Sequence, residues 1–301
     1  MTRNSFLAAA IAATVIFTTS AVPVRTQDAG PQGTLIVTNK SPSTATIVDV
    51  GTSRVLATLP TGTNPHEVAI SPDGRTAVIT NYGGELRTLT VIDVPKLEVA
   101  RTIDLDTYRA PHGIVFLSDN RHVVVTVQVS RHIIIVDALE GRVTAAIPTE
   151  FDGSHMVGVT ADGTRAFTGN TSANTVSELD LTNRRFVRSF EVPQTPEAIN
   201  VTPDGKEVWV GSNGTGRVSV LTPATGDVAT VVEGLRWPYR MLFTPDNRLV
   251  IVPDPTLHEL RFIDRADRRE IGRMAFPGAG PQGVTITPDG RHVLLSLSAR
   301  G

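Results

Sequence analysis

A strand–turn–strand pattern recurs along this chain at an almost constant spacing. It first occurs as PHEVAISPDGRTAVITN, which begins at Pro65, and it returns at positions 111, 154, 196, 238 and 281. Successive copies start 46, 43, 42, 42 and 43 residues apart. A fixed period of this length indicates a repeat architecture, in which each unit buries its apolar face against its neighbours.

Each repeat carries the signals of four short strands. A short apolar strand precedes a turn such as SPDG, where Pro and Gly suit the backbone angles of a tight turn. A second apolar strand follows, then a third that ends on Asp in most copies, and then a fourth. The repeats show no helical periodicity. Four antiparallel strands per repeat predict an all-β propeller of four-stranded blades.

The strand signals do not fill a whole number of blades. Five complete blades are preceded by a segment with three strand signals and followed by a segment with two. We therefore predict seven blade positions with the first and last incomplete, and six blades are the alternative. Closing a seven-bladed ring would take about 30 further residues, judged from the repeat length.

The stretch TNPHEVAISPDGRTAVITNYGG, residues 63–84, resembles the repeat of the YVTN-type β-propeller family. The resemblance extends from Thr34 to the end of the chain. It implies a propeller from a largely prokaryotic and often exported family. It implies little about activity, because members of one fold family carry many functions.

The N-terminal segment differs from the repeats. Arg3 precedes an apolar run from Phe6 to Phe17, and small residues follow up to Ala21. This order is typical of a secretory signal peptide, and the run is shorter than the roughly 20 residues that span a bilayer. We predict a signal peptide at residues 1–21, a flexible leader at 22–33 and a single propeller domain at 34–301. The mature protein is expected to be periplasmic or secreted, without membrane insertion.

Composition excludes several kinds of function. The chain has 28 Lys and Arg residues against 30 Asp and Glu residues, which gives no electrostatic reason to expect a nucleic-acid partner. The chain contains no Cys, which excludes disulfides, a thiolate zinc site and a cysteine nucleophile. The expected partner is therefore a small molecule or another extracytoplasmic protein.

The loop before the first strand of each repeat carries a polar residue at one repeated position. The occupants in chain order are His66, His112, His155, Glu197, Tyr239 and Gln282, and Arg240 follows directly after Tyr239. A packing position would instead hold apolar residues. In a propeller these loops open at one end of the central channel, so these seven residues are predicted to form a ligand-binding pocket.

Two sharper interpretations of this pocket remain open beside simple ligand binding. Zinc or copper could be bound by His66, His112 and His155 with Glu197, since imidazole suits both ions and a carboxylate can complete four-coordination. The arrangement is also similar to that of propeller lactonases and streptogramin-type lyases. That resemblance implies His66 and His112 as acid–base groups and Arg240 as an anion-binding group. Alternatively, repeat duplication copied one histidine, and the polar residues only line a solvated channel mouth.

Overall fold

The computed structural model describes residues 30–299, which form 25 strands and one short 3-10 helix at Gln128–Ser130. The predicted signal peptide and residues 22–29 of the predicted leader lie outside this range. Within the described residues, no helix is both long enough and apolar enough to span a membrane.

The strands form seven sheets in chain order. The first sheet contains β1 (Thr34–Asn39), β2 (Thr44–Asp49) and β3 (Arg54–Pro60). The second contains β4 (Pro65–Ile70), β5 (Thr76–Asn81), β6 (Thr88–Asp93) and β7 (Glu98–Asp104). The third contains β8 (Pro111–Phe116), β9 (His122–Val127), β10 (His132–Asp137) and β11 (Arg142–Pro148). The fourth contains β12 (Ser154–Val159), β13 (Arg165–Asn170), β14 (Thr175–Asp180) and β15 (Arg185–Glu191).

The last three sheets continue the same order. The fifth contains β16 (Pro196–Val201), β17 (Val208–Ser212), β18 (Arg217–Thr222) and β19 (Asp227–Val232). The sixth contains β20 (Leu242–Phe243), β21 (Leu249–Asp254), β22 (Glu259–Asp264) and β23 (Arg269–Ala275). The seventh contains β24 (Pro281–Ile286) and β25 (Val293–Leu297). The described chain is thus the predicted all-β propeller, with five four-stranded sheets between a three-stranded and a two-stranded one.

Contacts between sheets identify which strands lie at the centre of the propeller. The first strand of one sheet packs on the first strand of the next, as β4 does on β8 and β12 does on β8 and β16. The fourth strands are more exposed, and β7 has only one buried residue. The first strands therefore surround the propeller axis, as the sequence predicts.

The core between sheets is aliphatic. Between the second and third sheets it contains the buried residues Leu89, Val91, Val123, Val125 and Ile134. Fully burying side chains of this size contributes about 1.5–3 kcal/mol each. The neighbouring sheets are therefore held together by packing that is repeated from one interface to the next.

The turn after the first strand has the backbone that its sequence predicts. Gly74, Gly205 and Gly290 have φ values of 72°, 65° and 70°, and Asn120 and Asn247 replace Gly with φ values of 58°. Asn tolerates this left-handed region better than most residues. The substitution of Asn for Gly at this turn therefore keeps the same geometry.

The Asp residues that end the third strands cap the following turns. Asp49 accepts a hydrogen bond from the backbone nitrogen of Thr52 at 2.7 Å, and Asp180 accepts one from Asn183 at 3.0 Å. A short polar side chain that binds the backbone of its own turn is a common means of fixing turn geometry. These acidic residues therefore have a local structural role.

Candidate functional site

A β-bulge at the start of the first strand positions the repeated polar residues. In β4, Pro65 pairs with Asn81 and Val68 pairs with Ile79, so two residues lie opposite Thr80 alone. The two residues are His66 and Glu67. The strands β8, β12, β16 and β24 have register shifts at the same point. Because a bulge redirects the side chains of a strand, one blade can present two consecutive residues to the site.

Threonines near the end of the second strand connect the bulges of neighbouring blades. Oγ1 of Thr80 accepts a hydrogen bond from the backbone nitrogen of Glu67 at 3.1 Å and donates one to the carbonyl of His112 at 3.1 Å. Thr126 accepts from the backbone nitrogen of Gly113 at 2.8 Å and donates to the carbonyl of His155 at 2.5 Å. These hydroxyls fix the backbone of one histidine relative to the preceding blade.

A close backbone approach supports the same arrangement. A Cβ atom at Gly113 would lie 2.7 Å from the carbonyl oxygen of His155 and 2.8 Å from Cα of Met156. Real Cβ atoms do not approach backbone atoms so closely, so only Gly fits here. The absence of a side chain at position 113 allows the third and fourth blades to bring their histidines together.

His66, His112 and His155 form a continuous row of imidazole rings, here called the histidine row. The ring centroids of His66 and His112 are 4.4 Å apart, and those of His112 and His155 are 3.7 Å apart. Tyr82 packs edge-on against the first two rings, at 5.1 Å from His66 and 4.5 Å from His112. The hydroxyl of Tyr82 donates to Oε1 of Gln128 at 2.6 Å, which holds the tyrosine in place.

The environment favours neutral imidazoles at two positions of the row. Burial lowers the pKa of His112 well below its usual value, and the neighbouring His155 lowers it further. Burial also lowers the pKa of His155, to about 4, with a further contribution from the charge of Arg240. Among the described residues, neither buried Nδ1 atom has a hydrogen-bond partner. Two neutral imidazoles therefore keep a nitrogen that no protein group occupies.

Glu67 joins the histidine row to Arg240. His66 Nδ1 donates to Oε1 of Glu67 at 3.0 Å, and Arg240 forms an ion pair with the same oxygen. Burial alone raises the pKa of Glu67, but the charge of Arg240 and the hydrogen bond from His66 outweigh it and hold the pKa well below its usual value. Glu67 is therefore a carboxylate at neutral pH.

Arg240 is held on its other sides by its own blade. Its guanidinium carbon lies 3.9 Å from the centre of the Tyr239 ring, and Nη1 donates to the Tyr239 carbonyl at 2.7 Å. The Tyr239 side chain in turn forms a hydrogen bond with Gln282. Burial lowers the pKa of Lys40, and the nearby charges of Glu67 and Arg240 act on it in opposite directions. Arg240 and Lys40 thus form the cationic side of the site, and Tyr239 holds Arg240 in place.

Glu197 has a different set of partners. Its Oε2 accepts a hydrogen bond from Nε1 of Trp237 at 3.2 Å and another from the amide of Asn213. Burial raises the pKa of Glu197, although these two donors oppose the effect. The Glu197 backbone forms a hydrogen bond with the His155 side chain, which connects this residue to the end of the histidine row.

The described residues contain one group of His and carboxylate side chains with the spacing of a metal site. The ligand atoms of His66, Glu67 and His112, here called the His–Glu group, all lie within 4.8 Å of one another. The group shares His66 and His112 with the metal set predicted from the sequence, but its carboxylate is Glu67 rather than Glu197. His155 stacks on His112 yet lies outside the group. The bulge explains the difference, because it brings two side chains of one blade together.

Several residues of the site were not predicted from the sequence. Tyr82 follows the ITN end of β5, and Thr80 and Thr126 are the second-to-last residues of β5 and β9. The sequence signal that could have identified these threonines is the recurrence of a small hydroxyl residue near the end of the second strand. Glu67 occupies the position after His66. The equivalent residues of the other repeats are Gly113, Met156, Ala198, Arg240 and Gly283, and this irregularity concealed the role of Glu67.

The fold and the His–Glu group define a β-propeller with a candidate binding or metal site at one end of its axis. The structure is similar to a chain of Kuenenia stuttgartiensis hydrazine synthase, with a TM-score of 0.77 and 20% sequence identity. The match covers 94% of this chain and 97% of that chain. At this identity the similarity concerns the fold alone. No family model and no curated protein sequence matches the chain, so membership of the YVTN-type family stays a prediction.

Proposed function

We propose that this protein is an exported β-propeller that binds a divalent transition metal ion, such as zinc or copper, with the His–Glu group. The observation that supports this most strongly is the convergence of three ligand atoms within 4.8 Å of one another. Two imidazoles and one carboxylate are a donor set that zinc accepts, and imidazole also suits copper. The apolar run at Phe6–Phe17 supports the exported location.

The protonation states of the site favour this proposal. Metal ions bind the neutral form of imidazole and the ionised form of a carboxylate. The pKa of His112 is lowered and the pKa of Glu67 is lowered, so both groups have the ligand form at neutral pH. The unpartnered Nδ1 of His112 adds a donor atom that would not have to break a hydrogen bond within the protein.

The residues that contact His66 and His112 and hold them in place also suit a metal site. His66 and Tyr82 are in edge contact, and Tyr82 is anchored on Gln128. The His112 backbone is held by Thr80. Groups that fix the orientation of the ligands commonly change metal affinity by 10- to 100-fold when they are replaced. The ligands therefore rest on a rigid framework rather than on free loops.

A lactone hydrolase or lyase is a second candidate, favoured by one observation. The hydrogen bond between His66 and Glu67 is the contact that orients a histidine as a general base, and Arg240 lies beside it. A catalyst of this kind would act without a metal ion. Hydrolysis of a panel of lactones by protein treated with a chelator would support it.

Metal analysis of protein purified without an affinity tag tests the proposal. Titration calorimetry with zinc and with copper is expected to give one ion per chain for the unchanged protein. Glu67→Gln and His112→Ala are each expected to weaken binding at least about tenfold, in line with the loss of a ligand. Glu197→Gln is the matched control, since Glu197 lies outside the His–Glu group, and it should bind as the unchanged protein does. Absence of retained metal together with absence of binding heat contradicts the proposal.

A further inference from the structure

We propose that the metal site also binds a small carboxylate ligand, which pairs with Arg240 when the metal ion takes Glu67. This inference rests on the proposed metal-binding function and names the ligand that completes the site. It follows from the positions of three charged groups, which are Glu67, Arg240 and Lys40.

Glu67 belongs to two arrangements at once. Its Oε1 atom accepts from His66 and from Arg240, and the same residue is the only carboxylate of the His–Glu group. A carboxylate that binds a metal ion donates electron density to it and therefore attracts another cation less strongly than before. Metal binding at Glu67 therefore weakens its ion pair with Arg240.

Arg240 cannot readily move into solvent when this ion pair weakens. Its side chain is 14% exposed, and it is held against the Tyr239 ring and carbonyl. A buried cation without a counter-charge is costly, which favours uptake of an anion. The charge of Glu197 acts on Arg240, but among the described residues the two form no ion pair, and Trp237 and Asn213 engage the Oε2 atom of Glu197.

The charges around the site favour the same ligand. A divalent ion would add its positive charge to those of Arg240 and Lys40. Glu67 is the carboxylate that interacts with both of these side chains. Arg240 already pairs with a carboxylate in this place, so the position accommodates the planar group that guanidinium binds with two parallel hydrogen bonds. A site with three protein ligands also leaves a coordination position for an oxygen from outside the protein.

The limited exposure of the site restricts the ligand to a small molecule. The side chains of His66 and Glu67 are 11% and 18% exposed, and Tyr82 covers two rings of the histidine row. A compact carboxylate can reach this position, whereas a bulky group would have to displace the aromatic rings. Acetate is therefore a suitable probe.

The test uses the full mature protein loaded with Co²⁺, whose visible absorption reports on its ligands. Acetate is titrated at constant ionic strength, and acetamide serves as the neutral probe of the same shape. We expect acetate to change the spectrum to saturation and acetamide to leave it unchanged. Arg240→Gln should still bind Co²⁺ and should need at least about tenfold more acetate, the effect of losing a charge-assisted pair. Arg240→Lys keeps the positive charge, so the acetate concentration at its midpoint should lie between those of the unchanged protein and Arg240→Gln.

The outcomes separate this inference from the metal proposal. Arg109→Gln, a change in an exposed ion pair with Glu85, is the control and should respond to acetate as the unchanged protein does. Equal acetate midpoints for the unchanged protein, Arg240→Gln and Arg240→Lys overturn the carboxylate inference while metal binding stands. An equal response to acetamide also overturns it. Failure of the unchanged protein to take up Co²⁺ contradicts both proposals.

Discussion

Arg240 donates a hydrogen bond to Oε1 of Glu67, 173 positions away in the chain, and so joins the segment before the sixth sheet to the second sheet. Both side chains are largely buried, at 14% and 18% exposure. An ion pair between such distant blades ties the two sides of the site together directly. It also places a positive charge beside the histidine row, where it helps to keep His155 neutral.

Removal of one partner of this ion pair is expected to destabilise the protein. Glu67→Gln or Arg240→Gln leaves a largely buried charge without its partner, which typically costs about 3–5 kcal/mol. The double variant should lose less than the two single variants together, because neither charge is then left alone. Urea denaturation of all three variants measures this. Arg109→Gln, in an exposed ion pair with Glu85, should have little effect. Additive losses in the double variant would show that the pair is not coupled.

The threonine bridges are expected to stabilise the histidine row. Thr80→Val removes a hydroxyl that accepts from Glu67 and donates to His112, at a cost of about 1–3 kcal/mol for the groups left unpaired. Thr126→Val should behave in the same way. Thr168→Val is the matched control, because the buried Thr168 hydroxyl has no hydrogen-bond partner among the described residues. The melting temperatures of the three variants measure this effect. An equal decrease in all three would show that the hydrogen bonds of Thr80 and Thr126 have no special role.

Mild acid is expected to reduce stability through the histidine row. His155 has a folded-state pKa of about 4, below the value near 6.5 of the unfolded chain. The unfolded state therefore binds more protons than the folded state between these two values, and the free energy of unfolding falls as the pH falls from about 6.5 to about 4. His155→Gln should flatten this dependence, measured as the melting temperature against pH. An unchanged slope in that variant would mean that other groups cause the acid sensitivity.

The backbone contact at Gly113 gives a prediction that involves no charge. Gly113→Ala places a methyl group against the carbonyl of His155 and Cα of Met156, at 2.7 and 2.8 Å. Forcing the two blades apart should cost about 1–3 kcal/mol and should loosen the contact between His112 and His155. Gly84→Ala, which has open space around it, is the control. Equal denaturation midpoints for the two variants would contradict the tight packing described for the third and fourth blades.

Much of the fold follows from the period of the repeat. The turn sequences mark the strand ends, and the seven sheets, including the incomplete first and last ones, agree with the prediction. The equivalent positions of His66, His112 and His155 in consecutive repeats also predict that they lie near one another, because equivalent positions of adjacent blades are neighbours.

The choice of carboxylate was not predictable from the same pattern. The sequence places Glu197 at the repeated position, whereas the structure brings Glu67 into the His–Glu group. The result depends on the bulge in β4 and on the reach of Arg240 from a distant blade. The alternation of apolar and polar residues along a strand predicts neither a local change of register nor a contact between distant blades. The roles of Thr80 and Tyr82 depend on the same inter-blade geometry.

Anomalous X-ray scattering from crystals grown with zinc tests the central claim most directly. The account predicts one strong peak at the zinc edge, within about 2.0–2.2 Å of nitrogen atoms of His66 and His112 and of a carboxylate oxygen of Glu67. The peak should disappear in crystals of Glu67→Gln and persist in crystals of Glu197→Gln. A zinc-loaded crystal with no peak between these three side chains, or with its strongest peak elsewhere, would contradict the account.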